Sequence, residues 1–227
     1  MKMTSFLLRI DDILRRQPWT TRIGGARSAL SWLTVAIVVF GMTYGAVMGV
    51  FGGVLGDRAL QVLYSAIKVP LLLGATFVIG LPSFFVFNTL FGLRRDFGEA
   101  VRSLMATQAG LAIVLASLAP LTMLSYASSS DYSAALRVNG LMFAAASFAG
   151  QWLLREYYRL LIARNRRHRW MLWTWLIIYV LVGIQMAWIM RPFVGAPGAP
   201  VQFFREGSWG NAYTVVAKLI CDAVFRR

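Results

Sequence analysis

The sequence predicts an all-α integral membrane protein, a bundle of about five transmembrane helices with an interfacial amphipathic helix at each end. Three observations predict this class: an apolar composition, five long runs without charge, and basic residues that alternate between loops. Hydrophobic residues make up 58% of the 227 residues and charged residues 14%, against about 45–50% and about 25% in soluble domains. Because a chain this small cannot bury so many apolar residues, a bilayer is the solvent that accommodates them.

The formal net charge is +14, which in a soluble protein would suggest nucleic-acid binding. Here the basic residues lie between long apolar runs, so anionic lipid headgroups and membrane topology explain them better. We therefore expect membrane lipids, and no nucleic acid, among the partners. Cys221 is the single cysteine, so no disulfide can form within the chain.

Residues 1–26 form the first predicted element, a cytoplasmic amphipathic segment. Its apolar side chains recur at helical spacing, at Met3, Phe6, Leu7, Ile10 and Leu14. Asp11 with Arg15, and Asp12 with Arg16, add i,i+4 ion pairs on the polar side. We expect this helix to lie in the membrane interface, with docking onto a partner helix as the alternative.

Residues 27–191 form the predicted five-span bundle. The uncharged runs contain 29, 25, 28, 17 and 21 residues and follow Arg27, Lys68, Arg102, Arg137 and Arg169. A span needs about 20 apolar residues, within a range of about 17–25, so the fourth run is marginal. We expect that helix to continue through Arg155, Glu156 and Arg159 to about Leu161, with the long side chains reaching the surface. The first run predicts a retained signal anchor rather than a cleaved signal peptide.

Residues 192–227 form the last predicted unit, an extracytoplasmic loop followed by an amphipathic helix. Prolines and glycines interrupt residues 192–210, so that stretch has no helical period. The apolar stripe that follows consists of Ala212, Val215, Val216, Leu219, Ile220, Ala223 and Val224. Asn211 can cap the start of this helix.

The distribution of basic residues predicts the orientation. Of 23 basic residues, 15 lie in the N-terminal stretch, near residues 92–104 and in residues 155–169, and 8 lie on the other side. The positive-inside rule then places the N-terminus in the cytoplasm and the C-terminus in the periplasm or another extracytoplasmic space. The predicted location is the bacterial inner membrane. The loop arginines are Arg164, Arg166, Arg167 and Arg169, which either bind acidic lipid headgroups or act only as a topology signal.

A strip of small residues follows one face of the first span. Gly41, Gly45 and Gly49 recur at every fourth position, which lets a neighbouring backbone approach closely. The neighbour is either another helix of the same chain or a helix of another protomer or subunit. The strip predicts close packing and says nothing of function.

Polar residues within the spans are candidates for a polar path or network. They are Asn88, Gln151, Gln185 and Arg191. Each needs a hydrogen-bond partner in lipid, and joining neighbouring helices is the simpler role. Pro82 predicts a kink in the second span, which also contains Pro70. Broken helices mark binding sites in transporters, whereas plain packing is the alternative.

The chain lacks the residues of most membrane catalysts. His168 is the sole histidine and falls in a basic stretch that we expect to be a solvated loop. A single histidine cannot form a bis-histidine haem site or a histidine-rich metal site. Its expected place in a solvated loop also argues against a serine–histidine–aspartate triad. The sequence also has no P-loop or H-E-x-x-H motif. We therefore predict no catalytic residue, no metal ligand and no cofactor, and we favour a non-enzymatic protein.

The fifth span carries a distinctive string with several companions earlier in the chain. The string is Gly183-x-Gln185-Met186-x-Trp188-x-x-Arg191-Pro192-Phe193-x-Gly195-x-Pro197. The companions are Lys68-Val69-Pro70-Leu71, Pro82-Ser83, Phe87-Asn88 and Phe203-Phe204-Arg205. Over roughly residues 68–213 the chain resembles a set of uncharacterised multi-pass bacterial membrane proteins. The resemblance implies a fold and a candidate site but no activity.

Two roles remain open for Arg191, the first charge beyond the fifth span. It either reaches the membrane surface as a boundary residue or ties residues 192–210 over the outer mouth of the bundle. For the whole chain we predict a non-catalytic membrane subunit, a scaffold or accessory component that packs against other membrane subunits or itself. The alternative is a small transporter or channel component with a kinked second span.

Overall fold

The computed structural model describes residues 3–15, 17, 26–56, 58–205, 208 and 210–214. All regular secondary structure in these residues is helical, as predicted. The helices are α1 (Met3–Leu14), α2 (Ala26–Gly49), α3 (Arg58–Leu90), α4 (Phe97–Ser128), α5 (Tyr132–Arg164) and α6 (His168–Ile189), with one 3-10 turn at Arg94–Asp96. Most of the predicted C-terminal amphipathic helix lies outside the described residues.

Four helices in the described part of the chain are long and apolar enough to cross a membrane: Ala29–Gly49, Arg58–Leu90, Arg94–Ser128 and His168–Ile189. They correspond to the first, second, third and fifth predicted spans. The helix at the fourth position, α5, has 33 residues but carries several charges and amides, and it falls outside this set. It continues through Arg155 and Arg159, as predicted, and ends at Arg164 rather than near Leu161.

The helices pack as a row that curves back on itself. α2 lies between α3 and α4, α6 packs on α3, and α5 packs on α4. The two ends of the row, α5 and α6, touch each other only slightly. Tyr179 of α6 reaches across the row, and its hydroxyl donates to Oε1 of Gln108 on α4 at 2.9 Å. A cleft therefore separates α5 from α6.

The glycine strip of α2 lies against α3 of the same chain. A Cβ on Gly41 would come within 3.2 Å of the Pro70 backbone nitrogen, and a Cβ on Gly45 within 2.9 Å of the Ala66 Cα. At Gly49 the Val62 Cα would be only 2.5 Å away. The side that these three glycines present is thus occupied within the chain. α3 itself remains helical through Pro70 and Pro82.

The two ends of the bundle differ in what closes them. We call the end that contains residues 91–96 and 164–168 the basic end, and the end covered by residues 191–205 the capped end. α1 belongs to the basic end, where Ile13 is fully buried. The Ile13 carbonyl accepts a hydrogen bond of 2.8 Å from the Tyr157 hydroxyl of α5. The last turn of α1 is therefore held by the bundle itself.

Candidate functional site

The capped end is organised by a polar stripe on α3. The stripe consists of Arg58, Gln61, Ser65 and Lys68. Their spacing of three, four and three residues places them on one helix face. That face points at residues 191–205, the segment after α6, which we call the cap.

Each stripe residue donates to a carbonyl oxygen of the cap. Lys68 Nζ donates to the Pro192 oxygen at 2.6 Å, and Ser65 Oγ donates to the Phe193 oxygen. Gln61 Nε2 lies 3.4 Å from the same Phe193 oxygen and 3.0 Å from Ser65 Oγ. These bonds satisfy carbonyls that an irregular segment would otherwise leave unpaired.

Arg58 completes the series at the start of α3. Both of its terminal guanidinium nitrogens donate to the Ala196 oxygen, each at 3.1 Å. From the neighbouring side, the Tyr132 hydroxyl of α5 lies 3.4 Å from the Val194 oxygen. The cap is therefore held by α3 and α5 together.

Lys68 is fully buried, although it is a cation. Besides the Pro192 carbonyl, its ammonium faces the Phe203 ring at 5.0 Å from the centroid, a cation–π distance. No carboxylate pairs with it within the described residues. Among the described residues, its ammonium is thus contacted by a carbonyl oxygen and a ring rather than by a counter-ion.

In the described part of residues 192–210, the Arg191 side chain makes no hydrogen bond of the kind that one of its two predicted roles required. Its Nε donates to the Trp188 oxygen at 3.1 Å, and its guanidinium lies 3.1 Å from the Trp188 ring centroid. Arg58 and Lys68 hold the cap instead, and sequence reasoning missed that role for both. The signal that could have found them is the three-four-three spacing of polar residues in an otherwise apolar span.

Below the cap lies a cavity of about 630 Å³, which we call the apolar cavity. Its walls come from α3, α5 and α6, with single residues of α2 and α4. Representative wall residues are Leu72, Thr76, Gly140, Phe143, Gly183 and Ile184. Arg191 and Arg205 line the same cavity at the cap. Its volume lies within the range of about 300–1,000 Å³ found for small-molecule sites.

The apolar cavity opens sideways along the seam between α5 and α6. Its wall residues Leu136, Gly140 and Ser147 on α5 remain exposed. Across the cleft, α6 makes few contacts with α5 and packs instead on α3, where a Cβ on Gly183 would lie 3.6 Å from Thr76 Cγ2. A bundle in a bilayer would present this opening to lipid.

A second, polar chamber of about 360 Å³ lies over the apolar cavity. Arg58, Gln61 and Gln202 line it. Tyr132, Pro192 and Arg205 line both spaces, so the two meet at these residues. The combination places an apolar space and a polar, basic space next to each other.

The two arginines at this junction act on each other. Burial lowers the pKa of the Arg191 guanidinium, which lies beyond the last residue of α6, and the positive charge of Arg205 lowers it further. The two guanidinium groups repel each other, and an anion bound between them would offset this repulsion.

At the basic end, two of the four arginines predicted to bind lipid headgroups form contacts within the bundle. Arg164 forms an ion pair of 2.7 Å with Glu99, and Arg167 donates to the Phe91 oxygen at 3.1 Å. Arg166 and Arg169 are exposed.

A third cavity, of about 490 Å³, lies at the basic end of the same seam. Gln151, Arg155 and Arg169 line it together with Trp152 and Trp173. Gln151, one of the predicted polar path residues, therefore faces this space rather than the cap.

The remaining path residues are not brought together. Asn88 lies 20 residues beyond Lys68 on α3, about 30 Å at ~1.5 Å per residue, and is buried near the basic end. Neither polar atom of its side chain has a hydrogen-bond partner in the described part. Gln185 lies near the capped end, where its Nε2 donates to the Gly210 oxygen and its Oε1 accepts from the Ala212 amide, both at 3.1 Å.

His168 is not in a solvated loop, so that expectation was wrong. It is the first residue of α6 and is fully buried. Its Nε2 lies 3.0 Å from Asp96 Oδ2, and its ring packs edge-on against Tyr158. The carboxylate and the ring remove this histidine from solvent. Within the residues that the structure describes, no cluster of three or more potential metal ligands is present.

Comparison of the chain with protein-family models, with curated proteins and with solved structures gave no match. The resemblance to a bacterial membrane family thus stays a prediction. The structure does bring two of its strings into contact, because Lys68 donates to Pro192 and Pro192 belongs to the string after α6.

Proposed function

We propose that this chain is a non-catalytic membrane protein that binds an amphiphilic molecule of the bilayer in the cleft between α5 and α6. The observation that carries the proposal is the apolar cavity with its sideways opening and its basic junction at the cap. An apolar chain enters such a space from the bilayer without crossing water. Because the chain is already in an apolar solvent there, its affinity comes from packing against the cavity walls and from the polar end of the molecule. The polar chamber then receives the polar end of the molecule.

The cap supports this function by keeping the cavity closed on one side. Its ties to Arg58, Ser65 and Lys68 cover the end of the cavity that faces the headgroup region. The unclosed side is then the seam between the two helices. A molecule of the bilayer reaches this seam by lateral diffusion.

We also propose that α5 crosses the membrane as the fourth of five spans, which places the N-terminus in the cytoplasm of a bacterium and the cap outside its inner membrane. The support is that α5 lies along α4, with Leu153 beside Gly110 and Gly150 beside Leu111. A helix of 33 residues is about 50 Å long, so it extends across the same thickness as its neighbour.

Cysteine labelling tests this topology. After Cys221→Ser, the variants Ser130→Cys and Arg166→Cys place one thiol in the loop on each side of α5. A membrane-impermeant maleimide on intact cells is expected to label Ser130→Cys and to label Arg166→Cys only after permeabilisation. Labelling of both from the same side would contradict the five-span topology.

Filling the cavity tests the binding function. Gly140→Trp puts an indole on the wall of the apolar cavity. The control is Gly74→Trp, which adds the same indole at a position that lines none of the cavities described and where a Cβ meets no atom within 4 Å. The measurement is the lipid that stays bound after purification in mild detergent, read by native mass spectrometry. We expect bound lipid in the wild type and in Gly74→Trp and a strong loss in Gly140→Trp. Equal retention in both variants would reject the cleft as the binding site.

A second candidate is a subunit of a larger membrane complex, and the exposure of α6 favours it. Trp170, Trp173, Ile177 and Val180 of α6 are exposed. A partner helix on this face would bury them. The mass of the protein in mild detergent tests this idea, and a monomer without a co-purifying partner from the native host would remove it.

A further inference from the structure

The chemistry at the junction of the two cavities identifies the class of molecule that fits. Arg205 lines both the apolar cavity and the polar chamber, Arg191 lines the first and Arg58 the second. No aspartate or glutamate lines either space in the described part of the chain. Among the described residues, the junction therefore offers cations to a ligand without a competing carboxylate.

Each of these arginines keeps donors beyond the contacts described above. Arg191 uses Nε for the Trp188 oxygen, and a guanidinium has five N–H groups in all. Arg58 spends one donor of each terminal nitrogen on the Ala196 oxygen. The Arg205 side chain is exposed at the mouth, and its backbone amide, not its guanidinium, holds Arg205 to the Arg191 oxygen at 3.2 Å.

We propose that the ligand is an anionic phospholipid whose phosphate headgroup is bound by Arg205 and Arg191, with an acyl chain in the apolar cavity. This inference rests on the proposed function and adds the headgroup class. Guanidinium groups match phosphate oxygens by paired hydrogen bonds, which are charge-assisted and stronger than neutral ones. The geometry suits an entry from the leaflet at the capped end, because both arginines lie at that end of the seam.

The headgroup charge separates this ligand from a zwitterionic lipid with the same chains. A zwitterionic headgroup brings its own cation into a space that already holds Arg58, Arg191 and Arg205. An anionic headgroup brings only the compensating charge. The cavity should therefore prefer phosphatidylglycerol to phosphatidylcholine when the acyl chains are identical.

The experiment measures binding of the two lipids to the full-length protein in detergent, with phosphatidylglycerol and phosphatidylcholine of identical chains, by lipid titration in native mass spectrometry. The variant is Arg205→Gln, which keeps a polar side chain and the backbone contacts of the cap. The matched control is Arg137→Gln, an exposed arginine at the same end that lines neither space. We expect the wild type to bind phosphatidylglycerol about tenfold more tightly, because phosphatidylcholine brings a cation next to the arginines of the junction.

In Arg205→Gln we expect this preference to fall several-fold, because phosphatidylglycerol binding weakens more than phosphatidylcholine binding. In Arg137→Gln we expect the preference to persist. Binding of both lipids with equal affinity by the wild type would overturn the headgroup assignment but leave the proposed function standing. The same preference in Arg205→Gln as in the wild type would also overturn it. Binding of neither lipid by the wild type would instead contradict the proposed function itself.

Discussion

The capped end and the basic end use the same kinds of residue in opposite ways. At the capped end Arg58 and Lys68 donate to backbone carbonyls, which carry no net charge. At the basic end the carboxylates of Glu99 and Asp96 accept from Arg164 and His168. Glu99 compensates the charge of Arg164, whereas Arg58 and Lys68 have no carboxylate partner among the described residues.

This difference shows where an anion has a reason to bind. The basic end has more arginines in sequence, yet several of them are engaged within the bundle. The capped end has fewer, but Arg191 and Arg205 line its apolar cavity. The cavity at the basic end also has two arginines in its lining, Arg155 and Arg169. What distinguishes the capped end is the polar chamber that adjoins its apolar cavity and can receive a headgroup.

The largest expected loss of stability comes from a substitution that forces α2 and α3 apart beside Ser65 of the polar stripe. Gly45→Ala would bring a Cβ within 2.9 Å of the Ala66 Cα, next to Ser65, so α3 must shift. We expect a loss of about 1–3 kcal/mol in the free energy of unfolding, as for other overpacked sites. Thermal unfolding in detergent measures it.

The matched change Gly74→Ala has open space around its Cβ and should be neutral or slightly stabilising, because alanine favours the helix. An equal loss of stability in both variants would show that the close approach at Gly45 does not organise the capped end.

An intermediate effect is expected where the cap meets the start of α3. Arg58→Leu removes both hydrogen bonds to the Ala196 oxygen, which should cost about 1–2 kcal/mol and loosen the cap. Hydrogen exchange of residues 191–205 measures the loosening directly. Arg137→Leu removes the same charge outside the cap and should leave that exchange unaltered. Protection that is unchanged in Arg58→Leu would mean that the cap does not depend on this tie.

The smallest effect is expected at the basic end, at an ion pair that is partly exposed. The side chain of Arg164 is 57% exposed and that of Glu99 is 18% exposed. Arg164→Gln should therefore cost about 0–1 kcal/mol, and the cost should shrink in high salt. Unfolding at low and high ionic strength checks this. A large loss in the free energy of unfolding that does not depend on salt would show that the basic end is not held more weakly than the capped end.

Charge gaps were enough to predict most of the bundle, because a run of about 20 uncharged residues has few alternatives to a membrane span. They located the four candidate spans. The continuation of α5 through Arg155 and Arg159 was also predicted, because long basic side chains can reach the membrane surface from a helix end. The glycine strip predicted a close neighbour but left open which one. The structure shows that this neighbour is α3.

The cap could not be predicted in the same way. Lys68 and Pro192 are separated by 124 positions, and Arg58 and Ala196 by 138. No local period records contacts between positions so far apart. His168 was misjudged for a similar reason, because a basic stretch of sequence does not reveal that Asp96, 72 positions earlier, folds onto its ring. The cavity depends on how far α6 stands from α5, which composition does not encode.

A photoreactive phospholipid shows whether an acyl chain lies in the apolar cavity. With the reactive group in the acyl chain of phosphatidylglycerol, illumination of the protein in its native membrane marks the residues that line the chain, and mass spectrometry maps them. We expect labelling to concentrate at residues 136–147 on α5 and 183–187 on α6, and to be lost in Gly140→Trp. Labelling spread evenly over lipid-facing positions such as Val78 and Ile79 of α3, and unchanged in Gly140→Trp, would contradict this expectation.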